Sequence, residues 1–449
     1  MIRWKARPHF GFGERDGVVV RVPMRRIFSG LQSEIIRQVW LWTFPAFAFL
    51  ALSAPSLRAQ APQKLTLHEA LERANRQNLD LASARLRRAV SEAGIRIARQ
   101  RPNPTVTFGA LRDLPHEDLL LDQPLELGGQ RGRRIELARR QVSLTDAEYS
   151  ALERQVRRSV RVAYYAVALA RGVTAYQTRQ LDLAKRLQEI AQARFEAGDV
   201  PQLEVFQANL VLARAETDLD ISRQQELVAL SQLNTLLNER AETEWELATP
   251  IEEPPGAFTM DELIARAQQS NAELQRLAQE LRVEEAHRLL LQAERFPKVT
   301  AEAGTDLNAR TQGEPGKGFS VGPRGQLAVE VPIFSRNQGE IAQSRAATRL
   351  LESEAAATRR AVAGRSQSAY LNFAALRRQV EQYRDKLLPA GRQLADLAEE
   401  SYRSGKAGIL TVLDARRNAQ QLEREYLENL FTLHEAFAEL EETVGAPLD

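Results

Sequence analysis

The segments FEAGDVPQLEVFQA (195–208) and YRSGKAGILTVLDA (402–415) are two versions of one pattern, placed 207 residues apart. In each, a glycine follows a long helical stretch, and a second helical stretch returns at 203–237 or 410–444. Glycine takes the positive φ that ends a helix without steric cost. Each segment therefore predicts the tip of an antiparallel helical hairpin.

The helices that lead into these tips are very long. Gly132 and Gly198 are 66 residues apart, and so are Gly339 and Gly405. At 1.5 Å per residue, such a stretch makes a rod about 100 Å long. Apolar and small residues recur along it among Arg and Gln, which is typical of coiled-coil packing.

The repetition extends over the whole chain. LTLHEALERANRQNLDL (65–81) matches FTMDELIARAQQSNAEL (258–274) at an offset of 193 residues. The Pro-rich segment TPIEEPPGA then reads as a linker at 249–257. We expect a first structural repeat at 62–248 and a second at 258–449, each with a helix, two strands and a long helical hairpin.

Between the first helix and the hairpin, each repeat carries two stretches of alternating polarity. Helical patterns at 66–100 and 259–295 end at prolines. The period-two stretches that follow predict four strands, at 105–110, 119–127, 299–303 and 326–331. An acidic residue interrupts three of these strands, which suits a sheet with one face in water and the other in lipid. The fold class predicted is mostly α, with a small transmembrane β part.

The N-terminus carries an export signal. Sixteen apolar residues from Val39 to Ala54 follow three arginines and precede Ala59-Gln60-Ala61. This pattern predicts a signal peptide cleaved after Ala61, preceded by a superfluous N-terminal stretch at 1–23, so residues 1–61 fall outside the mature fold. A retained single-span anchor is the alternative. No later segment is long and apolar enough to predict a transmembrane helix.

Counting strands predicts an assembly. Four strands per chain leave two open edges, which lipid does not tolerate, and the smallest bacterial barrels have eight strands. Two chains would give eight strands and an interior filled by side chains. Three chains give twelve, so we expect a homotrimer that encloses a pore.

These features resemble a known family. The repeat layout, both tip motifs, QPLELGGQRGRR (123–134) and VPIFSRNQGEIAQSRA (331–346) are similar to the TolC family of outer-membrane efflux proteins. The segment at 123–134 is most similar to the cobalt–zinc–cadmium resistance branch. The resemblance implies a trimer with a twelve-stranded barrel in the outer membrane and a helical tunnel through the periplasm.

The resemblance also implies partners and sites. The partners are a periplasmic adaptor protein, an inner-membrane pump that is commonly proton-driven, and outer-membrane lipid. Relatives dock the adaptor and gate the channel at the hairpin tips, which map here onto Gly198, Asp199, Val200, Gly405, Lys406, Ala407 and Gly408. Acidic residues at the periplasmic entrance map onto Glu204 and Asp414. Ala407 and Thr411 depart from the basic and acidic residues that lock the gate of the best-known members.

Ordinary active-site chemistry is missing from the sequence. The chain has no cysteine, which excludes thiolate metal sites and an N-terminal lipid on Cys. The five histidines are scattered, and His68 and His434 are expected on helix surfaces rather than as metal ligands. A net charge of +2 gives no sign of nucleic-acid binding. We expect no enzyme, cofactor or bound metal.

The expected function is a passive outer-membrane duct that carries metal ions or small toxic compounds from the pump and adaptor to the exterior. An outer-membrane duct for type I protein secretion is one alternative, since the same fold serves it. A coiled-coil scaffold and an exported enzyme on a helical framework are the others.

Overall fold

The computed structural model describes residues 63–110, 117–256, 258–308, 320–404 and 406–448. The signal segment, 1–61, lies outside them. The first half contains β1 (Gln63–Leu65), α1 (Leu67–Gln77), α2 (Leu79–Arg99), β2 (Thr105–Ala110), β3 (Glu117–Leu125), α3 (Gln130–Glu196), α4 (Gln202–Leu237) and β4 (Trp245–Leu247). The second half contains α5 (Met260–Ser270), α6 (Ala272–Ala293), β5 (Lys298–Asn308), β6 (Ser320–Glu330), α7 (Gln338–Gln382), α8 (Leu388–Arg403) and α9 (Ile409–Val444).

Both halves begin with the same capping device. The Thr66 hydroxyl accepts from the Glu69 amide at 3.1 Å, and the Glu69 carboxylate accepts from the Thr66 amide at 2.9 Å. Thr259 and Glu262 make the same reciprocal pair in front of α5. Each pair satisfies backbone donors that a helix start leaves free, so α1 and α5 begin at equivalent residues.

The single helices predicted at 66–100 and 259–295 are wrong, because an asparagine divides each of them. The Asn78 carboxamide oxygen accepts from the amides of Asp80 and Leu81 and caps α2. Its Nδ2 donates to the Leu236 carbonyl at the end of α4, at 3.1 Å. Asn271 caps α6 in the same way and donates to the Thr443 carbonyl at 2.8 Å. Each asparagine thus ties the start of one helix to the end of another.

The first long helix is confirmed, whereas the second is interrupted. α3 runs without a break for 67 residues, about 100 Å. The predicted equivalent is divided by a π-helical turn at Tyr383–Leu387 between α7 and α8. Pro389 explains the interruption, since it has no amide to donate to the Asp385 carbonyl and its ring would clash there. A π-turn widens the helix and relieves that clash.

The four predicted strands form one antiparallel sheet, in the order β2, β3, β5, β6. Three are longer than predicted or shifted, because the alternation extends past the segments chosen from sequence. Opposite faces differ in polarity. Thr105, Asp122, Glu302 and Gln326 lie in register on one face. Val106 and Leu121 lie in register on the other, as do Val299 and Val329, and these four side chains are apolar.

A second, smaller sheet was not predicted. β1 pairs in parallel with β4, so the start of the described chain lies beside the segment that follows α4. Trp245 of β4 is buried, and its indole donates to the Asn234 side chain at 2.6 Å. Three-residue strands carry too little alternation to be recognised from sequence.

None of the helices in the described parts of the chain is long and apolar enough to cross a membrane.

Candidate functional site at the hairpin tips

The first tip has the glycine geometry that the sequence predicts. Gly198 has φ +79°, and its amide donates to the Phe195 carbonyl at 2.9 Å. The Asp199 amide reaches back to the Arg194 carbonyl at 2.9 Å. These bonds close the end of α3, as in a Schellman turn. Val200 is buried beneath the turn, and α4 begins directly after Pro201.

The second tip closes differently. The amides of Lys406 and Ala407 both donate to the Ser401 carbonyl, at 2.9 and 3.2 Å. Gly408 then takes an extended conformation, φ −78° and ψ 159°, directly before α9. Lys406 and Gly408 are exposed, and Ala407 is half-buried. Gly405 lies outside the described residues.

The two tips share an apolar groove with a volume of about 160 Å³. Leu187, Ile190, Ala191, Arg194, Glu204, Gln207, Ala208, Val211, Leu410 and Leu413 line it. The first eight belong to α3 and α4, and the two leucines come from α9, so the groove lies between the two hairpins. Glu204 lines the groove and is half-buried, whereas Asp414 is exposed and does not line it. Of the two predicted entrance carboxylates, Glu204 therefore faces this groove and Asp414 does not.

Ion pairs join the helices above the tips. Glu423 of α9 lies 3.4 Å from Arg392 of α8 and 3.6 Å from Arg179 of α3, so one carboxylate contacts both hairpins. Arg416 pairs with Glu399 within the second hairpin. These groups are partly exposed, and such pairs each contribute about 1 kcal/mol or less. The tips are therefore held together by modest contacts.

Comparison with known families decides the identity. The family model described as outer membrane efflux protein matches residues 70–239 and 263–446. The two matched ranges cover more than half of the chain and include both hairpin tips. The chain belongs to the outer membrane efflux protein family.

Individual relatives agree with this membership. The cobalt-zinc-cadmium resistance protein CzcC of Cupriavidus metallidurans is 26% identical over 400 residues, 87% of this chain and 92% of that protein. The pyoverdine export outer membrane protein OpmQ of Pseudomonas aeruginosa is 26% identical over 385 residues, 78% of this chain and 79% of that protein. The Campylobacter jejuni CmeC outer membrane channel has the same fold, with a TM-score of 0.67, 14% identity and coverage of 84% and 85%.

This efflux protein is accordingly assigned to the outer membrane by its family. The same comparisons confirm the predicted resemblance and the mostly α fold with a small β part. The closed twelve-stranded barrel stays a prediction. In the described residues, no group of three or more His, Asp or Glu side chains is arranged to hold a metal ion.

Sequence reasoning missed a buried polar cluster near the linker of this efflux protein. Arg161 of α3 is 2% exposed, and its Nη2 lies 3.3 Å from the Glu441 carboxylate of α9. The other Glu441 oxygen accepts from the Leu448 amide at 3.0 Å. The Arg161 guanidinium also lies over the Phe437 ring, 4.9 Å from its centre. The Arg161–Glu441 pair therefore joins the two repeats in a buried position.

The prediction that His434 lies on a helix surface is wrong, although His68 does lie on the surface. The His434 ring is buried, stacks on Tyr165 at 3.6 Å, and its Nε2 lies 2.6 Å from the Glu252 carbonyl of the linker. Burial lowers the pKa of His434 to about 4, although its bond to the Glu252 carbonyl acts in the opposite direction and Arg161 adds to the lowering. His434 is therefore a neutral donor that anchors the linker. A single histidine in a helical pattern gives no sign of this contact.

Proposed function

We propose that this protein works as a homotrimeric, passive duct in a tripartite efflux system. The four-stranded sheet, with one polar face, one apolar face and two free edges, is the observation that carries the proposal. Three copies supply twelve strands, which is enough to enclose a pore with the polar face inside and the apolar face in lipid.

The helical hairpins would then continue the pore into the periplasm. The two repeats, 62–248 and 258–449, joined by the linker at 249–257, each contribute two strands and one hairpin to the wall. Cargo passes through such a duct without a chemical step, so the protein is not an enzyme and requires no cofactor. Energy comes from an inner-membrane pump, proton-driven by analogy with the family.

The trimer and its pore are tested together. We expect the mature protein, extracted from outer membranes, to have the mass of three chains in detergent and to conduct ions in planar bilayers. A monomeric species without conductance would contradict the proposal.

The cargo we propose is a metal ion such as cobalt, zinc or cadmium. Support comes from the similarity to CzcC, which is named for resistance to these three metals, over 87% of the chain. Deleting the gene should sensitise the host to these metals more than to dyes or antibiotics. Sensitivity confined to organic compounds would favour small-molecule export. Loss of a secreted protein without any change in resistance would favour the type I secretion alternative.

The tips are proposed as the docking surface for the adaptor: Gly198, Asp199, Val200, Gly405, Lys406, Ala407 and Gly408. Gly408 offers a clean test, because its backbone is extended and nothing lies within 4 Å of a Cβ placed there. Gly408→Trp should therefore fold, form trimers and conduct ions, yet lose resistance because the indole obstructs the partner. Gly408→Ala is the matched control and should retain resistance. Full resistance in the Trp variant would place the docking surface elsewhere.

A further inference from the structure

The four connections between the large sheet and the long helices carry an excess of positive charge. Together with the adjoining first turns of the helices, they are the segments 99–104, 126–134, 294–298 and 330–340. These segments contain eight basic and four acidic residues, whereas the whole chain has a net charge of only +2. Positive charge is therefore concentrated where the sheet meets the helices.

Hydrogen bonds hold these connections at one level. The Arg131 Nε donates to the Arg99 carbonyl at 2.8 Å, which ties the start of α3 to the end of α2. The Asn337 Nδ2 donates to the Leu291 carbonyl at 3.2 Å, which ties the start of α7 to the end of α6. Neighbouring helices therefore end side by side at one edge of the sheet.

Exposed apolar side chains lie at the same level. A Cβ added to Gly128, just before α3, would be 2.4 Å from the Phe296 Cβ, so this connection lies against the one that follows α6. Phe296 is 44% exposed and Leu127 is 60% exposed. Basic and apolar side chains that lie together in this way are typical of the boundary between a bilayer and water.

Some of the basic residues in the connections have partners within the chain. Arg134 pairs with Glu126, and its Nη2 donates to the Gln100 carbonyl at 3.2 Å. The Lys298 ammonium lies 3.5 Å from the Glu330 carboxylate. These contacts explain Arg134 and Lys298 as structural residues, so they leave the remaining arginines to be explained.

Four other arginines are exposed, and we call them the arginine collar: Arg99, Arg101, Arg133 and Arg295. Within the described residues, none of their side chains makes a hydrogen bond or an ion pair. A guanidinium presents five donors in a planar fork that matches the oxygens of a phosphate. The collar is therefore suited to phosphate groups that lie outside the protein.

The position of the collar indicates where such phosphates come from. The collar lies at the end of the sheet from which the long helices continue. With the sheet in lipid and the hairpins in the periplasm, this end lies at the periplasmic surface of the outer membrane, level with the phospholipid headgroups. Near a bilayer surface that carries anionic lipids, each basic residue raises the affinity about fivefold.

We propose that the arginine collar binds the headgroups of anionic phospholipids, such as phosphatidylglycerol, at the periplasmic surface of the outer membrane. The guanidinium groups donate to the lipid phosphates, and the acyl chains lie against Leu127 and Phe296. This inference rests on the proposed placement of the sheet in lipid and adds a preference for the charge of that lipid. Lipids whose headgroups carry no net charge bind more weakly, because their own cation competes for the phosphate.

Tryptophan fluorescence reports this preference locally. Trp245 is the only tryptophan after residue 61, and it is 2% exposed, so lipid does not reach it. Leu127→Trp adds a tryptophan beside the collar at an exposed apolar position. In bilayers that contain the mature protein, brominated phosphatidylglycerol should quench this tryptophan with a binding constant about fivefold or more above that of brominated phosphatidylcholine. The ratio should fall toward one as salt is added.

Replacing the collar separates charge from structure in the protein with Leu127→Trp. The ratio should fall close to one when glutamine removes the four charges: Arg99→Gln, Arg101→Gln, Arg133→Gln and Arg295→Gln. Lysine at the same four positions keeps the charge and should keep the preference. The matched control removes four charges at exposed positions far along the helices from the sheet, and should leave the ratio unchanged: Arg186→Gln, Arg214→Gln, Arg359→Gln and Arg360→Gln.

Single substitutions cover the case in which the fourfold glutamine variant does not fold. Arg133→Gln and Arg295→Gln each remove one exposed charge without breaking a contact within the described residues, and each should lower the ratio. A ratio that stays unchanged in these variants and in any folded fourfold variant would overturn the inference. An equal loss in the control variant would do so as well, because it would show that net charge alone sets the preference.

A second reporter tests the proposed placement of the sheet separately. Leu121→Trp lies within β3 on the apolar face, at an exposed position. If neither brominated lipid quenches this tryptophan, the sheet does not lie in lipid and the proposed function itself is overturned. If both lipids quench it, but quench Leu127→Trp equally or not at all, only the arginine collar is overturned.

Discussion

Arg161 and Glu441 form a buried ion pair. We expect a single substitution to have its largest effect on the free energy of unfolding at this pair. Glu441→Ala removes the carboxylate that faces the guanidinium and the acceptor for the Leu448 amide. We expect the free energy of unfolding to fall by about 3–5 kcal/mol, because the variant leaves a buried charge without its carboxylate. Denaturant unfolding of the full chain in detergent measures it.

The neighbouring pair supplies the control. Glu442 lies 2.7 Å from Arg158, but both side chains are partly exposed. Glu442→Ala should therefore change stability by about 1 kcal/mol or less. Equal effects from the two substitutions would mean that water reaches Arg161 as readily as it reaches Arg158.

His434 predicts how stability depends on pH. Its pKa is about 4 in the folded protein and about 6.5 in an unfolded chain, so the unfolded state binds its proton first as pH falls. Above pH ~6.5 the neutral ring makes its full contribution to the free energy of unfolding. That contribution is lost as the pH falls from ~6.5 to ~4, and the loss amounts to about 3 kcal/mol in total.

The comparison variant is His434→Gln, which keeps a donor for the Glu252 carbonyl but does not titrate. Between these pH values, its thermal midpoint should fall less steeply than that of the wild type. Parallel curves for the two proteins would show that His434 becomes protonated in the folded state without cost.

Among the helices, one proline accounts for the difference between the two hairpins. Pro389 interrupts the second long helix, and the equivalent residue 207 positions earlier is Asp182, within the continuous α3. Pro389→Ala supplies the missing amide and should raise the free energy of unfolding by about 1 kcal/mol.

The reverse exchange tests the same reasoning. Asp182→Pro should lower the free energy of unfolding by about 3 kcal/mol, because α3 has no π-turn to accept the ring. Circular dichroism during unfolding measures both variants. A stabilising effect of Asp182→Pro would contradict the explanation of the π-turn.

For the whole molecule, we expect the carboxylates near the tips to affect whether the pore prefers cations or anions. A trimer repeats Glu204 and Asp414 three times each, and acidic rings favour cations in a pore. Glu204→Gln with Asp414→Asn should lower the cation-to-anion permeability ratio by roughly twofold or more without changing the mass of the trimer.

Reversal potentials in bilayers measure this ratio. Glu72→Gln with Asp80→Asn makes the same change in charge at exposed positions in α1 and α2, away from the tips, and serves as the control. An unchanged ratio in the tip variant would place both carboxylates off the conduction path. For Asp414, a position off the conduction path would agree with the structure, because Asp414 does not line the groove that Glu204 lines.

Features that repeat or alternate along the chain were predictable. The hairpin pattern around Gly198 and the alternation of Val106 and Phe108 with polar neighbours depend on helix and strand geometry alone. Helix and strand geometry depend on residues that are close together in the chain, so a single sequence is enough to predict them. The four strands and the positive φ of Gly198 are therefore present as predicted.

Only the tertiary structure decided which distant residues meet. Asn78 ends a helix because the end of α4 accepts its side chain, and His434 is buried because the linker crosses α9 at that point. The pairing of Arg161 with Glu441 likewise depends on how the two repeats pack. Such contacts join residues more than 150 positions apart, and no periodicity in the sequence encodes them. Local geometry determined the elements, and packing between them determined the buried polar contacts.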